Sequence, residues 1–160
     1  MRLFRPALLA VVLLALTSSY ARADATLFLG ANTTPTSRPV VGGALGFGLL
    51  IVAFEFEYSS SSEDAKNAAP GLKVGSGNVL LQTPVAIAGF QPYATVGVGV
   101  FHEALGSASD TNVASNLGAG VKIALAGPIR LRLDYRAFKL GGDARYSPSH
   151  RLYAGLNLHF

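Results

Sequence analysis

From Ile129 to Arg136 the chain reads Ile-Arg-Leu-Arg-Leu-Asp-Tyr-Arg, with apolar and charged residues alternating without a slip. An extended strand sends successive side chains to opposite faces. Ile129, Leu131, Leu133 and Tyr135 therefore share one face, and Arg130, Arg132, Asp134 and Arg136 share the other. A helix would scatter these charges around its circumference. The pattern recurs at the C-terminus, where Leu152, Ala154, Leu156, Leu158 and Phe160 alternate with Arg151, Tyr153, Gly155, Asn157 and His159. It recurs again in Phe54, Phe56 and Tyr58 against Glu55 and Glu57. A fourth instance sets Leu117, Ala119, Val121, Ile123 and Leu125 against Asn116, Gly118, Gly120 and Lys122.

Turn residues divide the chain into eight such runs, with strands expected near 25–32, 39–48, 50–59, 72–81, 92–104, 113–125, 128–140 and 150–160. Tight or apolar turns are expected at Gly48-Leu49, near 82–91 and at Ala126-Gly127-Pro128. Polar loops are expected at 33–38, 60–71, 105–112 and 141–149. In an up-and-down meander every second connection lies at the same end. Short turns at one end and longer loops at the other are the pattern of an outer-membrane barrel, and an even strand number puts both termini on the periplasmic side.

The N-terminus reads as an export signal. Arg2 and Arg5 precede an uninterrupted apolar run, Ala7 to Leu16, and Ala21-Arg22-Ala23 forms a small-x-small cleavage site. The run is too short for a spanning helix, which needs roughly 20 residues. Cleavage after Ala23 is expected, dividing the chain into a signal peptide, 1–23, and one barrel domain, 24–160. The formal charge of +4 then shrinks. Of the 13 Lys and Arg, Arg2, Arg5 and Arg22 lie in the signal, leaving ten against nine acidic residues. Such a balance offers no basic patch for nucleic acid. Cys is absent, which excludes disulfides, thiol nucleophiles and a lipid anchor on Cys.

A sheet with one apolar and one charged face can be a soluble sandwich or lipocalin-like barrel, apolar side in, or a membrane barrel, apolar side out. Only 14% of the residues are charged, against about 25% in typical soluble proteins. Eight strands enclose a space that side chains just fill. In the membrane reading Glu55, Glu57, Lys122, Arg130, Arg132, Asp134, Arg136 and Arg151 all point into that space. The third and seventh strands face each other across it, so the glutamates can meet the arginines. Small inward residues (Gly42, Ala44, Gly46, Gly97, Gly99, Gly118 and Gly120) leave room for them. Lipid also forbids an open sheet edge, because unsatisfied backbone groups find no water there. The expected fold is thus all-β, an eight-stranded antiparallel up-and-down transmembrane β-barrel preceded by a signal peptide.

The chain resembles the small outer-membrane β-barrel superfamily that includes the OmpA-type transmembrane domain and the opacity and attachment-invasion barrels. Asn116-Leu117-Gly118-Ala119-Gly120-Val121, Leu131-Arg132-Leu133-Asp134-Tyr135-Arg136 and the run ending in Phe160 carry the resemblance. It implies a monomeric, integral outer-membrane protein with a structural or surface-interaction role. It also implies that Leu156, Leu158 and Phe160 form the signal read by the barrel-assembly machinery. Unlike full-length OmpA proteins, the chain ends at Phe160, and no peptidoglycan-binding domain is expected. Trp is absent, so an aromatic girdle rests on Tyr and Phe.

Some similar barrels modify lipid A with Ser, His and a carboxylate near the outer rim. A nucleophile needs a base within hydrogen-bond reach. Two groups could supply one here: His102, Glu103, Ser107, Ser109 and Asp110, and Ser147, Ser149 and His150. Neither has the His-x-Ser arrangement of the deacylases. His102, His150 and His159 lack metal-ligand spacing, and no cofactor is expected. Eight strands with paired inward charges predict a plug rather than a wide pore, and the remaining partners are membrane lipid and an unidentified extracellular ligand.

Overall fold

The computed structural model describes residues 21–160; the apolar stretch expected to act as a signal lies outside them. Among the described residues there are eight strands: β1 (Ala21–Asn32), β2 (Arg38–Leu49), β3 (Val52–Ser61), β4 (Gly71–Gln82), β5 (Phe90–Leu105), β6 (Ala108–Ala126), β7 (Ile129–Leu140) and β8 (Ser149–His159). Each pairs antiparallel with the next, and β8 pairs back onto β1, closing the barrel. The closing ladder runs from Asp24↔His159 to Asn32↔Arg151. Ala23 and Phe160 exchange both backbone hydrogen bonds at 2.9 Å beyond it. Among the described residues no sheet edge remains unpaired, as a hydrocarbon environment demands.

The faces follow the alternation. Leu27, Leu29, Leu45, Phe56, Val98, Leu117, Leu133, Leu156 and Leu158 are exposed on the outside, while Arg132 and Arg136 are fully buried inside. The period of two leaves no other choice: a slip of one residue would turn the β7 charges into lipid. An arginine near the midplane costs roughly 2–4 kcal/mol there, so a strand with three of them holds its register firmly.

Two features differ from the sequence reading. The polar segment 105–112 is not a loop. β5 and β6 continue past it to a hairpin at Gly106-Ser107, with Leu105 opposite Ala108. Ser109, Asp110, Thr111 and Asn112 pair with Ala104, Glu103, His102 and Phe101. A ladder that rises above hydrocarbon no longer needs apolar outward residues, so polarity alone does not mark its end. Gly106, at φ +60°, takes the left-handed position that such a two-residue turn requires. At the opposite end the turn after β2 falls at Leu50-Ile51 rather than Gly48-Leu49, and Leu50 takes φ 55°. A non-glycine residue pays roughly 1–2 kcal/mol for that conformation.

The ends are unequal. Segments 33–37, 62–70 and 141–148, with the Gly106-Ser107 turn, form one end; 50–51, 83–89, 127–128 and both termini of the barrel form the other. In the first end a short 3₁₀ turn, Ala65–Asn67, is capped by Asp64, whose carboxylate accepts from the Lys66 and Asn67 backbone N–H groups. These bonds and the Asn67 side chain hold the Asp64 carboxyl below its usual range.

The outward placement of Leu156, between Leu27 and Leu131 on the neighbouring strands, is directly testable. Leu156→Arg is expected to destabilise the barrel by about 2–4 kcal/mol in urea titrations in lipid vesicles. An unchanged midpoint would show that this face does not meet hydrocarbon.

Candidate functional site: an ion-paired lumen

The alternation that sends leucines outward on β7 sends Arg132, Asp134 and Arg136 inward, and on β3 it sends Glu55 and Glu57 toward them. The two strands lie on opposite walls, so long side chains meet in mid-lumen. Arg132 reaches Glu55 with both terminal guanidinium nitrogens, Nη2 standing 3.2 Å from Oε1, and also bonds Asp134 at 3.2 Å. Arg136 donates Nη2 to Glu55 at 2.8 Å and Nε to Asp134 at 3.0 Å. Its Nη1 lies 3.2 Å from Glu57, a Coulombic contact without hydrogen-bond alignment. Arg151, from β8, pairs with Glu57 and donates to Ser59 at 2.7 Å. Three guanidiniums thus meet three carboxylates, and the cluster is electrically neutral. Neutrality matters because an unpaired buried ion costs several kcal/mol.

Aromatic residues frame this cluster. The Tyr93 hydroxyl donates to Asp134 and accepts from Arg132 Nε at 2.7 Å. The Arg132 guanidinium stands 4.9 Å from the Tyr93 ring centroid. That of Arg151 lies 4.8 Å from Phe138 and 5.2 Å from Phe28, whose ring stacks on Tyr153 at 4.0 Å. Glycines supply the space. A Cβ at Gly120 would collide with the Tyr93 phenol, and one at Gly97 with the Asn78–Asn116 amide pair.

The lumen is layered along its axis. Toward the loop end, Leu72, Val74, Phe101, Ala114, Phe138 and Leu140 form an apolar cluster that closes the barrel above the ions. Beyond it Arg38 is buried, its guanidinium donating to the carbonyls of Pro70 and Thr34, the latter at 2.9 Å. Toward the turn end, Asn157 donates to Thr26 at 2.9 Å. Lys122 pairs with Asp24 at 2.5 Å.

The expected residues do not all enter one network. Glu55, Glu57, Arg132, Asp134, Arg136 and Arg151 do. Lys122 is inward but pairs with Asp24, at a different level. Arg130 is a correction: it is inward but only half-buried, and it donates to Gln91 Oε1 at 2.8 Å rather than to a carboxylate. It is the first inward residue of β7, at the mouth of the lumen, where the nearby Asp24 carboxylate is already taken by Lys122. Tyr93, Asp24 and Arg38 were missed. Tyr93 was legible, because Gln91, Tyr93 and Thr95 alternate with Pro92, Ala94 and Val96. Asp24 sat at the edge of the expected cleavage site, and Arg38 in an expected loop.

The strand faces separate His102 from the carboxylates of Glu103 and Asp110, while Ser109 shares its outward face without bonding it. His102 points outward and its Nδ1 lies 2.7 Å from Thr111 Oγ1. Glu103 points inward and accepts from the Arg145 backbone N–H at 2.9 Å. Ser147 bonds the Leu140 backbone, Ser149 is buried inside, and the His150 ring stacks on Tyr135 outside. His150 Nδ1 meets the Tyr135 hydroxyl at 2.8 Å.

Arg132→Leu removes one of the two arginine partners of both Glu55 and Asp134. It is expected to cost about 3–5 kcal/mol, the usual penalty for breaking a buried ion pair. Glu55→Gln combined with Arg132→Leu is expected to cost clearly less than the sum of the single changes. Urea titrations of the four proteins in detergent measure both quantities, and additive effects would mean that the two groups are not coupled.

The same architecture recurs among solved barrels. The N-terminal β-barrel domain of Pseudomonas aeruginosa OprF superposes with a TM-score of 0.67 at 15% identity, over 87% of this chain and 97% of that one. Neisserial surface protein A gives 0.65 at 16%, over 88% and 96%. The outer membrane enzyme PagL gives 0.50 at 13%, over 86% and 98%. At these identities the likeness is one of fold. No curated protein sequence matches the chain significantly. The family model described as outer membrane protein beta-barrel domain matches residues 7–160. With its closed ladder, outward leucines and ion-filled lumen, the chain belongs to that outer-membrane β-barrel family.

Proposed function

We propose that this protein is a non-conducting structural barrel of the outer membrane that acts through its outer rim and loops rather than through its lumen. The observation that carries this reading is the closure of the barrel interior. Arg132 and Arg136 have no solvent exposure, and an apolar layer lies over them on the loop side. An ion crossing the lumen would have to separate the guanidinium–carboxylate pairs and then pass Phe101 and Phe138. The longer connections face outward in this reading, and the short turns and both termini face the periplasm. The barrel is monomeric, its partners being membrane lipid and, during insertion, the assembly machinery. Export is followed by cleavage after Ala23, so that Asp24, the partner of Lys122, begins the mature chain; the Ala23–Phe160 bonds belong to the uncleaved chain, and the closing ladder from Asp24↔His159 remains.

Nucleophilic catalysis at the rim would need a nucleophile and base held together by a third group. His102 has the Thr111 hydroxyl beside it, but the neighbouring carboxylate of Glu103 is turned to the other face. Neither Ser107 nor Ser109 hydrogen-bonds the His102 ring, whose side-chain partner is Thr111.

Purified barrel in a planar lipid bilayer is expected to show no stepwise conductance above the lipid background. Regular channel steps would overturn the closed-lumen reading. The assembly role proposed for Leu156, Leu158 and Phe160 is supported by their common outward face and exposure on the closing strand. Deleting Phe160 is expected to reduce the inserted, heat-modifiable fraction severalfold in cells. Insertion equal to that of the full chain would remove Phe160 from the signal.

A further inference from the structure

On the outer surface one row of residues runs straight across four strands near the loop end: Ser60, Lys73, His102 and Thr111, each the direct ladder partner of the next. The next outward row toward the turn end is Tyr58, Gly75, Val100 and Val113, and the one after it Phe56, Gly77, Val98 and Ser115. Polar chemistry therefore gives way to apolar chemistry immediately below Lys73 and His102. That places this row where headgroups meet hydrocarbon.

Directly beneath Lys73 the outer face of β4 loses its side chains. A Cβ at Gly75 would meet nothing within 4 Å, and one at Gly77 would meet only the edge of the Phe56 ring, at 3.8 Å. From Lys73 to Val79 the strand runs roughly 20 Å, with bare backbone between them on this side. Phe56 and Tyr58 wall the trough on β3, and Val98 and Val100 on β5, all exposed. Above it, Ser60, Lys73 and His102 line a recess of about 430 Å³. One carboxylate, that of Glu63, also lines the recess, and it accepts the Gly106 N–H at 3.3 Å.

We propose that this face is a specific site for one phosphorylated lipid of the outer leaflet. Its phosphate lies against Lys73 and His102, with the Ser60 hydroxyl as a further donor, and one acyl chain lies in the trough over Gly75 and Gly77. Charge complementarity names the headgroup: an exposed ammonium and an imidazole stand side by side at the interface, and an anion is what they attract. The shape names the rest, because a channel one strand wide with apolar walls, open to hydrocarbon, admits an extended methylene chain. The inference rests on the outward direction of the loops proposed above.

The test is native mass spectrometry of the full barrel with bisphosphorylated lipid A, its dephosphorylated form and phosphatidylglycerol as probes. One bisphosphorylated lipid A is expected to be retained, with at least tenfold weaker retention of the dephosphorylated form. Lys73→Ala with His102→Ala is expected to weaken retention at least tenfold. Gly75→Leu with Gly77→Leu, which fills the trough, is expected to do the same while the barrel stays folded by heat modifiability. Lys139→Ala, on the outer face of β7, is expected to leave retention unchanged. Equal loss in Lys139→Ala would mean diffuse attraction and would overturn the proposal. So would wild-type retention in the Lys73/His102 variant, preference for phosphatidylglycerol, or a dimer abolished by Gly75→Leu, which would assign the trough to a second copy. The bilayer conductance of the barrel, which tests the closed lumen, does not depend on these outcomes.

Discussion

The pairing of Arg132 and Arg136 with Glu55 and Asp134 is the interaction on which the rest of the barrel depends. Eight strands leave an interior too narrow for bulk water and too wide for backbone alone, so its side chains must satisfy one another. Charged side chains are long enough to meet across that space from opposite walls, and they do so here from β3 and β7. Their burial is affordable only because each guanidinium of the cluster, from Arg132, Arg136 and Arg151, finds a carboxylate and the charges of the cluster sum to zero. The same pairs tie distant parts of the sequence together, since Glu55 and Arg132 are 77 residues apart.

This inverted arrangement explains the composition of the strands. The solvent for the outer face is hydrocarbon, so outward positions carry Leu, Val and Phe, and the polar residues that a soluble protein would display are gathered within. The glycines of β5 and β6 make room for large neighbours: Gly120 for Tyr93, Gly97 for the asparagine pair. On the outer face of β4 glycine has a different consequence, because nothing inside the protein fills the space it leaves.

Much of this was legible in the residues. The unbroken alternation at 129–136 and 151–160 assigned the faces, and the near balance of inward charges implied a paired interior. The limits were local. Ser109 to Asn112 read as a loop because polarity was taken as the end of a strand, whereas the ladder outlasts the membrane. Arg130 read as a member of the network because its face was right, but its height along the axis was not visible. His102 and Glu103 read as possible catalytic neighbours because they are adjacent in sequence, and adjacency in a strand is what separates them in space.

The chain by itself determined which residues share a face, since period two is a property of the extended backbone and needs no partner. It also determined that the two faces require different surroundings. Only the closed sheet decided which charge meets which, because register and stagger set the height of each rung. Those heights join Arg132 to Glu55, send Lys122 to Asp24 and leave Arg130 at the mouth. They also bring Lys73 beside His102 above the bare backbone of Gly75, a juxtaposition across two strands that hydrogen bonding creates and residue order does not reveal.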